Sequence, residues 1–533
     1  MHEFRDLYST LLKSASNYPD KEAIIELNGR RWTFDRLLLT VDRAADAFWY
    51  MGVRSGDRVA ITLRNGAEFI IAHYALAKIG AAAVPVNFLI SKTEEIRFIL
   101  EDSGTKGIIT QEDFIAPYKK LTQSLHSISF LITTDGAERD GILNFGKLID
   151  SAPANSDLLA HYKHSSRDTV ASVLYTSGTT GHPKGVLLTH GNLIANARSS
   201  KAALHVKPDD VFLCLLPMFH TFSWTTTTVL PLMVGASSLV VSHITPAKPW
   251  LSMMGSEGVT VMAAIPQVFS LLAKEAKGFK RLYLQFWAFR KTRFAVSGAA
   301  PLSDETMKTF EENLNVPLLE GYGLTESGPV VSVNRPASRK TGSVGRPLPE
   351  VSVRIVDENG KVLPHGEEGE ICVRGENITK GYHGNPNATS EIFTNDGWLK
   401  TGDIGTIDRD GFLFIRDRKK DMIIIKGLKV FSAQVEQVLC EHPSVGEAAV
   451  IGIPDGKGDE IIKAFIVPKE GQSLTRQDLM RFIKENLDPY KRPRDIEIVE
   501  KLPKNSMQKI LKRELRKTEM EKLKAKKAAH AHA

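Results

Sequence analysis

The stretch LYTSGTTGHPKGVLLTH, Leu174 to His190, packs hydroxyl-bearing residues, glycines and a lysine between two apolar runs. TVASVLY before it and GVLLTH after it both read as strands, so the loop joins strand to strand. This excludes the common P-loop, which needs Ser or Thr directly after its Lys and then a helix; Lys184 is followed by Gly185 and a strand. The loop still suits phosphate. Gly178 and Gly181 let backbone N–H groups approach an anion, Thr176, Ser177, Thr179 and Thr180 add hydroxyl donors, and Lys184 adds positive charge.

Upstream, from Thr33 to Val86, apolar residues at helical spacing alternate with short apolar strands, as in LLLTVDRAADAFWYM, DRVAITL, AEFIIAHYALAKIG and AAAVPV. That rhythm predicts a doubly wound α/β sheet with parallel strands, and it persists to about Pro336. Between Gly342 and Phe414 it gives way to short strands broken by Gly, Asp and Asn, which predict a small barrel-like β region. After RDRKKD it changes again, to a helix over Ser432–Cys440, strands over Ala448–Ile453 and Ile461–Val467, and a helix opened by a capping box at Thr475 to Asp478. The expected division is a large N-terminal domain over 1–416 and a small, mobile α+β C-terminal domain over 417–533, with a basic tail from about 515.

The chain has 533 residues, of which 42% are hydrophobic, enough for two to four domains. Its formal charge is 69 − 62 = +7, but residues 500–533 hold eleven Lys and Arg against four Glu, 11 − 4 = +7, so the remainder nets to zero. Such a tail is solvated, or weakly drawn to acidic lipid surfaces. Cys214, Cys372 and Cys440 form neither a disulfide framework nor a zinc site, which fits a reducing cytoplasm. The opening MHEFRDLYST has no apolar core and predicts no signal peptide. The uncharged run Thr221–Ser242 contains four consecutive Thr and Pro231, and reads as buried interior rather than a membrane span.

The glycine- and hydroxyl-rich loop closely resembles the phosphate-binding signature of the adenylate-forming superfamily, which includes acyl-CoA synthetases, luciferases and the adenylation domains of peptide synthetases. The resemblance extends over nearly the whole chain through GYGLTESGP (Gly321–Pro329), WLKTGD (Trp398–Asp403), DRKKDMIIIKG (Asp417–Gly427) and LPKNSMQKIL near the end. It implies that Tyr322 packs on adenine, Thr325 bonds the α-phosphate and Glu326 holds magnesium. It assigns Asp403 and Arg418 to the ribose hydroxyls, and it places Gly298 and Ala299 of SGAAPL beside the adenine and the acyl channel. Lys509 corresponds to the lysine that swings over the active site during adenylation, Lys420 to the hinge, and Gly427 to the glycine lining the pantetheine tunnel. One departure stands out: Gln508 replaces the family's glycine, and a positive φ there would cost roughly 1 kcal/mol or more.

In LPMFHTFSW, His220 stands where amino-acid-activating relatives usually carry an aspartate, which disfavours an amino-acid substrate. His220 resembles the histidine between acyl pocket and carboxylate in acyl- and aryl-CoA synthetases, and Trp224 a tryptophan that gates the acyl tunnel of some long-chain members. The expected reaction is activation of a medium- or long-chain fatty acid with ATP and Mg2+, then transfer to CoA. Ligation to an acyl carrier protein, a luciferase-like oxygenase and, through Gln508, a non-catalytic fatty-acid-binding or regulatory relative are the alternatives. The expected partners are small molecules and no nucleic acid; weak peripheral membrane contact and a homodimer stay open, and the expected location is cytoplasmic.

Overall fold

The computed structural model describes residues 4–139, 141–152, 165–176, 183–425, 428–455, 460–505 and 508–531. By contact, the chain groups into one unit of Met1–Val353 with Val373–Leu399 and a second of Arg354–Cys372 with Lys400–Ala533. The strand-rich region is thus divided, with 354–372 and 400 onward grouping with the C-terminal part and the rest with the first unit, and the 416/417 boundary remains a proposal about where the chain turns.

The first unit holds two sheets. In the seven-stranded sheet the order is Ile142–Asn144, Phe130–Thr133, Gly107–Thr110, Arg58–Thr62, Ala82–Pro85, Val170–Thr176 and Lys184–Thr189. Its strands are parallel except for the last pair, an antiparallel hairpin with Thr176 opposite Lys184. The strand-to-strand reading of the loop is thereby met. Helix Phe34–Tyr50, capped by Thr33, and the almost wholly buried helix Ala67–Ile79 pack together beside this sheet. Ile96, Ile99, Ile108, Leu131 and Val173 belong to the core on one of its faces.

The nine-stranded sheet runs Arg346–Pro347, Val330–Val333, Leu318–Gly323, Phe294–Ser297, Val261–Ala264, Val211–Cys214, Ser237–Val240, Glu22–Glu26 and Arg31–Thr33. From Leu318–Gly323 through Glu22–Glu26 it is parallel. Strand Val211–Cys214 connects first to a neighbour on one side, Ser237–Val240, and the chain then returns to its other side at Val261–Ala264. The order reverses there, and at such a switch point the crevice outside the carboxyl ends is where open α/β sheets bind ligands. The uncharged run from Thr221 is interior, as expected: helix Thr221–Trp224, a π-helical turn Thr225–Val229, helix Leu230–Val234 and strand Ser237–Val240, all largely buried. Among the described residues no helix is long and apolar enough to cross a membrane.

The region expected to be barrel-like is a four-stranded sheet, ordered Ser352–Val356, Gly369–Arg374, Leu399–Ile407 and Leu413–Arg418, most of whose residues belong to the second unit. Farther along the chain, the antiparallel pair Val445–Pro454 and Glu460–Pro468 is joined by parallel strand Asp495–Ile498. Helices Ser432–Glu441 and Arg476–Asn486 close its core of Val435, Leu439, Val450, Ile462, Ile466 and Ile483. Thr475 caps the second helix by accepting the Asp478 N–H. The nearly buried Lys463 ammonium bonds Asp495, Glu497 and Glu519, tying the C-terminal helix to the sheet.

Candidate active site

Three parallel strands of the nine-stranded sheet deliver their carboxyl ends to one place. After Val211–Cys214 the chain runs to His220, which stands just before the helix Thr221–Trp224 and accepts the Trp224 N–H at its backbone carbonyl. Burial lowers the His220 imidazole to about 4, so the ring is neutral at pH 7 and offers a hydrogen bond rather than a charge. After Phe294–Ser297 comes Gly298, where a Cβ would lie 3.1 Å from the Phe222 ring, and then Ala299 with φ 70°. A left-handed alanine costs about 1 kcal/mol, and strain of this kind gathers at functional turns. Packing of the His220 helix onto Gly298 thus explains why that position is small.

Strand Leu318–Gly323 carries Tyr322 and leads into the turn Thr325–Ser327. Gly323 is obligatory, because a Cβ would meet the Pro329 carbonyl oxygen at 2.1 Å. Side-chain amides from two directions hold the turn: Asn196 donates to the Ser327 and Val330 carbonyls, and Asn377 to Ser327 at 2.7 Å. Glu320, just before it, is raised to about 7 by burial.

The turn packs against strand Lys184–Thr189, on which segment 379–383 is laid as an extra strand. Leu187 donates its N–H to Gly381 and His383 donates to Gly185. This places Tyr382 between two predicted residues. Its hydroxyl donates to Glu326 Oε1 at 2.8 Å, and the Lys184 ammonium lies 5.0 Å from its ring centroid. Burial, then the Glu326 charge, raises the Tyr382 phenol far above its ordinary range, so it stays a donor. Tyr382 escaped the sequence reading; the only local signal is an aromatic beside glycines in KGYHGNP. Thr176, Lys184, Thr325 and Glu326 thus share one neighbourhood with Tyr382. Ser177, Gly178, Thr179, Thr180 and Gly181 lie outside the described residues, as does Gly427.

Trp224 is buried in an aromatic cluster, 4.1 Å from His73 between ring centroids and 5.5 Å from Phe69, with no hydrogen-bond partner for its indole N–H. A further crevice opens at the switch point of the seven-stranded sheet, where strand Arg58–Thr62 has later strands on both sides. It is a cavity of about 300 Å3 walled by Phe88, Phe114 and Tyr118. Phe88 stacks on Phe114 at 5.2 Å and meets Phe219 edge-on at 5.3 Å, and Phe219 touches His220. Arg64 lies over both rings of the stack.

In the second unit, Asp403 and Arg418 are partners on neighbouring strands, and the Arg418 guanidinium meets the buried Asp403 carboxylate at 2.9 Å. Lys420 is in the following turn, whose Asp421 binds Arg516 of the C-terminal helix. Lys509 is an exposed residue, yet the surroundings of its ammonium, first by burial and then by the Arg418 charge, bring it down to about 8. Asn505 fixes the approach to it: its N–H donates to the Lys509 carbonyl and its side chain accepts the Lys509 N–H, both at 2.9 Å. Gln508 has φ 58°, the left-handed conformation in which the family's glycine would be free of strain.

The family model for AMP-binding enzymes matches residues 11–383, and that for the AMP-binding enzyme C-terminal domain matches 434–509. The chain belongs to the AMP-binding enzyme family. A 4-coumarate–CoA ligase of Arabidopsis thaliana is 33% identical over 96% of this chain and 91% of its own length. A long-chain-fatty-acid–CoA ligase of Salmonella typhimurium is also 33% identical, over 96% and 95%. The structure of an anthranilate CoA ligase with anthranoyl-AMP superposes at a TM-score of 0.88 and 27% identity, covering 99% of each chain. This AMP-binding enzyme is thus an adenylate-forming enzyme of the acid–CoA ligase class, using ATP and taking CoA as co-substrate.

Proposed function

We propose that the enzyme activates a medium- or long-chain fatty acid. A carboxylate oxygen bonds to the α-phosphorus of ATP as pyrophosphate departs; the CoA thiol then attacks the acyl carbonyl, losing its proton as AMP leaves. Adenylation unites two anions, so the protein's task is positioning and charge neutralisation. Lys184 and the hydroxyls of Thr176 and Thr325 receive phosphate oxygens, Tyr322 faces the adenine, and Asp403 with Arg418 takes the ribose. The neutral His220 orients the acid, and Lys509 supplies the cation for its carboxylate. Glu326 is one carboxylate fixed by Tyr382, a donor set that fits Mg2+, which is usually bound through one or two protein carboxylates with phosphate and water supplying the rest. When bound, the ion neutralises charge on the triphosphate. The Phe88 cavity, with its aromatic walls and Lys120, is the proposed seat of the CoA nucleotide. Domain rotation about Lys420 separates the two half-reactions, and the cytoplasm is the expected compartment.

The substrate reading rests on a single observation: behind His220 the chain from Thr221 to Ser242 has no ionisable side chain and is largely buried. Such a stretch offers no charged partner to an ionised substrate tail. The role of Trp224 at the acyl tunnel stays with the resemblance, since its ring is enclosed by Phe69, His73 and Tyr74. Pyrophosphate release with CoA present, screened from acetate to palmitate with benzoate and 4-coumarate included, tests the reading. Activity rising with chain length is expected; a maximum at acetate or at an aromatic acid would refute it.

A further inference from the structure

Helix Gly278–Tyr283 runs straight into the π-helical turn Leu284–Ala288. Its inner side is ordinary: Leu284, Ala288 and the following Phe289 are buried in the core with Phe310. Its outer side is not. Phe279, Leu282, Tyr283, Phe286 and Trp287 are all exposed, Phe279 at 91% and Phe286 at 67%. Their spacing of three and four residues makes an apolar stripe, which a surface helix normally turns inward. Leu271, 58% exposed on the preceding helix Pro266–Glu275, adds to the apolar surface of this segment.

Charge completes the picture. From Leu271 to Arg293 there are seven Lys and Arg and one acid, Glu275, so the segment carries 7 − 1 = +6. Since the tail accounts for +7 of the total +7, the rest of the chain carries 7 − 7 − 6 = −6. Lys274, Lys277, Lys280, Arg281, Arg290 and Lys291 are exposed around the stripe, and only Lys280 is satisfied by Glu275 within the segment. A second copy of this face would set +6 against +6, which disfavours self-association. The matching occupant is apolar and anionic at once. Aromatic and aliphatic side chains on one helical face, ringed by Lys and Arg, are the composition that lies in a lipid headgroup layer.

We propose that the face formed by Phe279, Leu282, Tyr283 and Phe286 docks the enzyme on an anionic lipid bilayer, lying in the interface without crossing it. The surface is separate from the residues assigned to chemistry, so it stands or falls independently of the fatty-acid reading. Full-length protein is sedimented with phosphatidylcholine vesicles with and without phosphatidylglycerol. Binding to the mixed vesicles that weakens as NaCl is raised is expected. The variant F279S/F286S should bind roughly tenfold more weakly or worse, with unchanged circular dichroism and pyrophosphate release, while K524S/K526S/K527S in the tail should still bind. No vesicle binding by the wild type, equal binding by F279S/F286S, or loss only in the tail variant would overturn the proposal. So would a dimer in sedimentation velocity that F279S/F286S converts to monomer.

Discussion

Lys509 holds its proton over a narrowed range. Burial and Arg418 bring its ammonium down to about 8, so at pH 7 about nine-tenths of the molecules carry the cation. The sign follows directly: the depressed value means that charge is lost as pH rises through 8, not gained. Fatty-acid-dependent pyrophosphate exchange should therefore fall along an alkaline limb with an apparent pKa near 8. In K509R, whose guanidinium does not titrate, the limb should vanish from the remaining rate; a limb that persists there would assign it elsewhere. His220, at about 4, should add no acid limb between pH 6 and 7. The candidacy of Lys509 was legible in LPKNSMQKIL, but its narrowed range was not, because Arg418 lies far away in sequence. Gln508 is the converse case: its departure from glycine is visible in the string, while its φ of 58° needed the loop.

At the scale of elements, the hairpin Val170–Thr189 is extended by a segment about two hundred residues farther along the chain. Segment 379–383 adds to the free edge of strand Lys184–Thr189, and it can do so because Gly381, at φ 122°, has no Cβ to strike Thr389 at 2.3 Å. The addition aims Tyr382 at Glu326. A hydrogen bond to a carboxylate contributes about 1.5–3 kcal/mol, so Tyr382→Phe should raise the Mg2+ and ATP concentrations needed for half-maximal adenylation about tenfold. Thioester formation from supplied acyl-AMP should change little, and equal losses in both half-reactions would remove Tyr382 from the metal-side role. The strands and helices were legible from periodicity because each is encoded within its own residues. The pairing of 379–383 with 184–189 was not, because edge addition depends on backbone groups that no side-chain pattern marks.

At the scale of the molecule, each unit has its own apolar core: one includes Met262, Phe269 and Phe310, the other Val450, Ile462 and Ile466. Separate cores predict that unfolding is not two-state, with a calorimetric enthalpy exceeding the van't Hoff value. Ile466→Ala removes a fully buried side chain from the smaller core, at a cost of about 2–5 kcal/mol. It should shift only one calorimetric transition. A single transition shifted as a whole would show that the units unfold together.

The amino-acid string alone determined the doubly wound class, the strand–loop–strand form of the glycine-rich hairpin and the candidate residues, because periodicity, glycine and hydroxyl content and motif order act over short stretches. Only the tertiary structure decided that Tyr382 braces Glu326, that His220 is neutral, that Trp224 is packed among the aromatics of another helix, and that an apolar stripe at 279–287 faces water. Those properties come from burial and from neighbours remote in sequence, and desolvation is a property of the packed surroundings rather than of the residue.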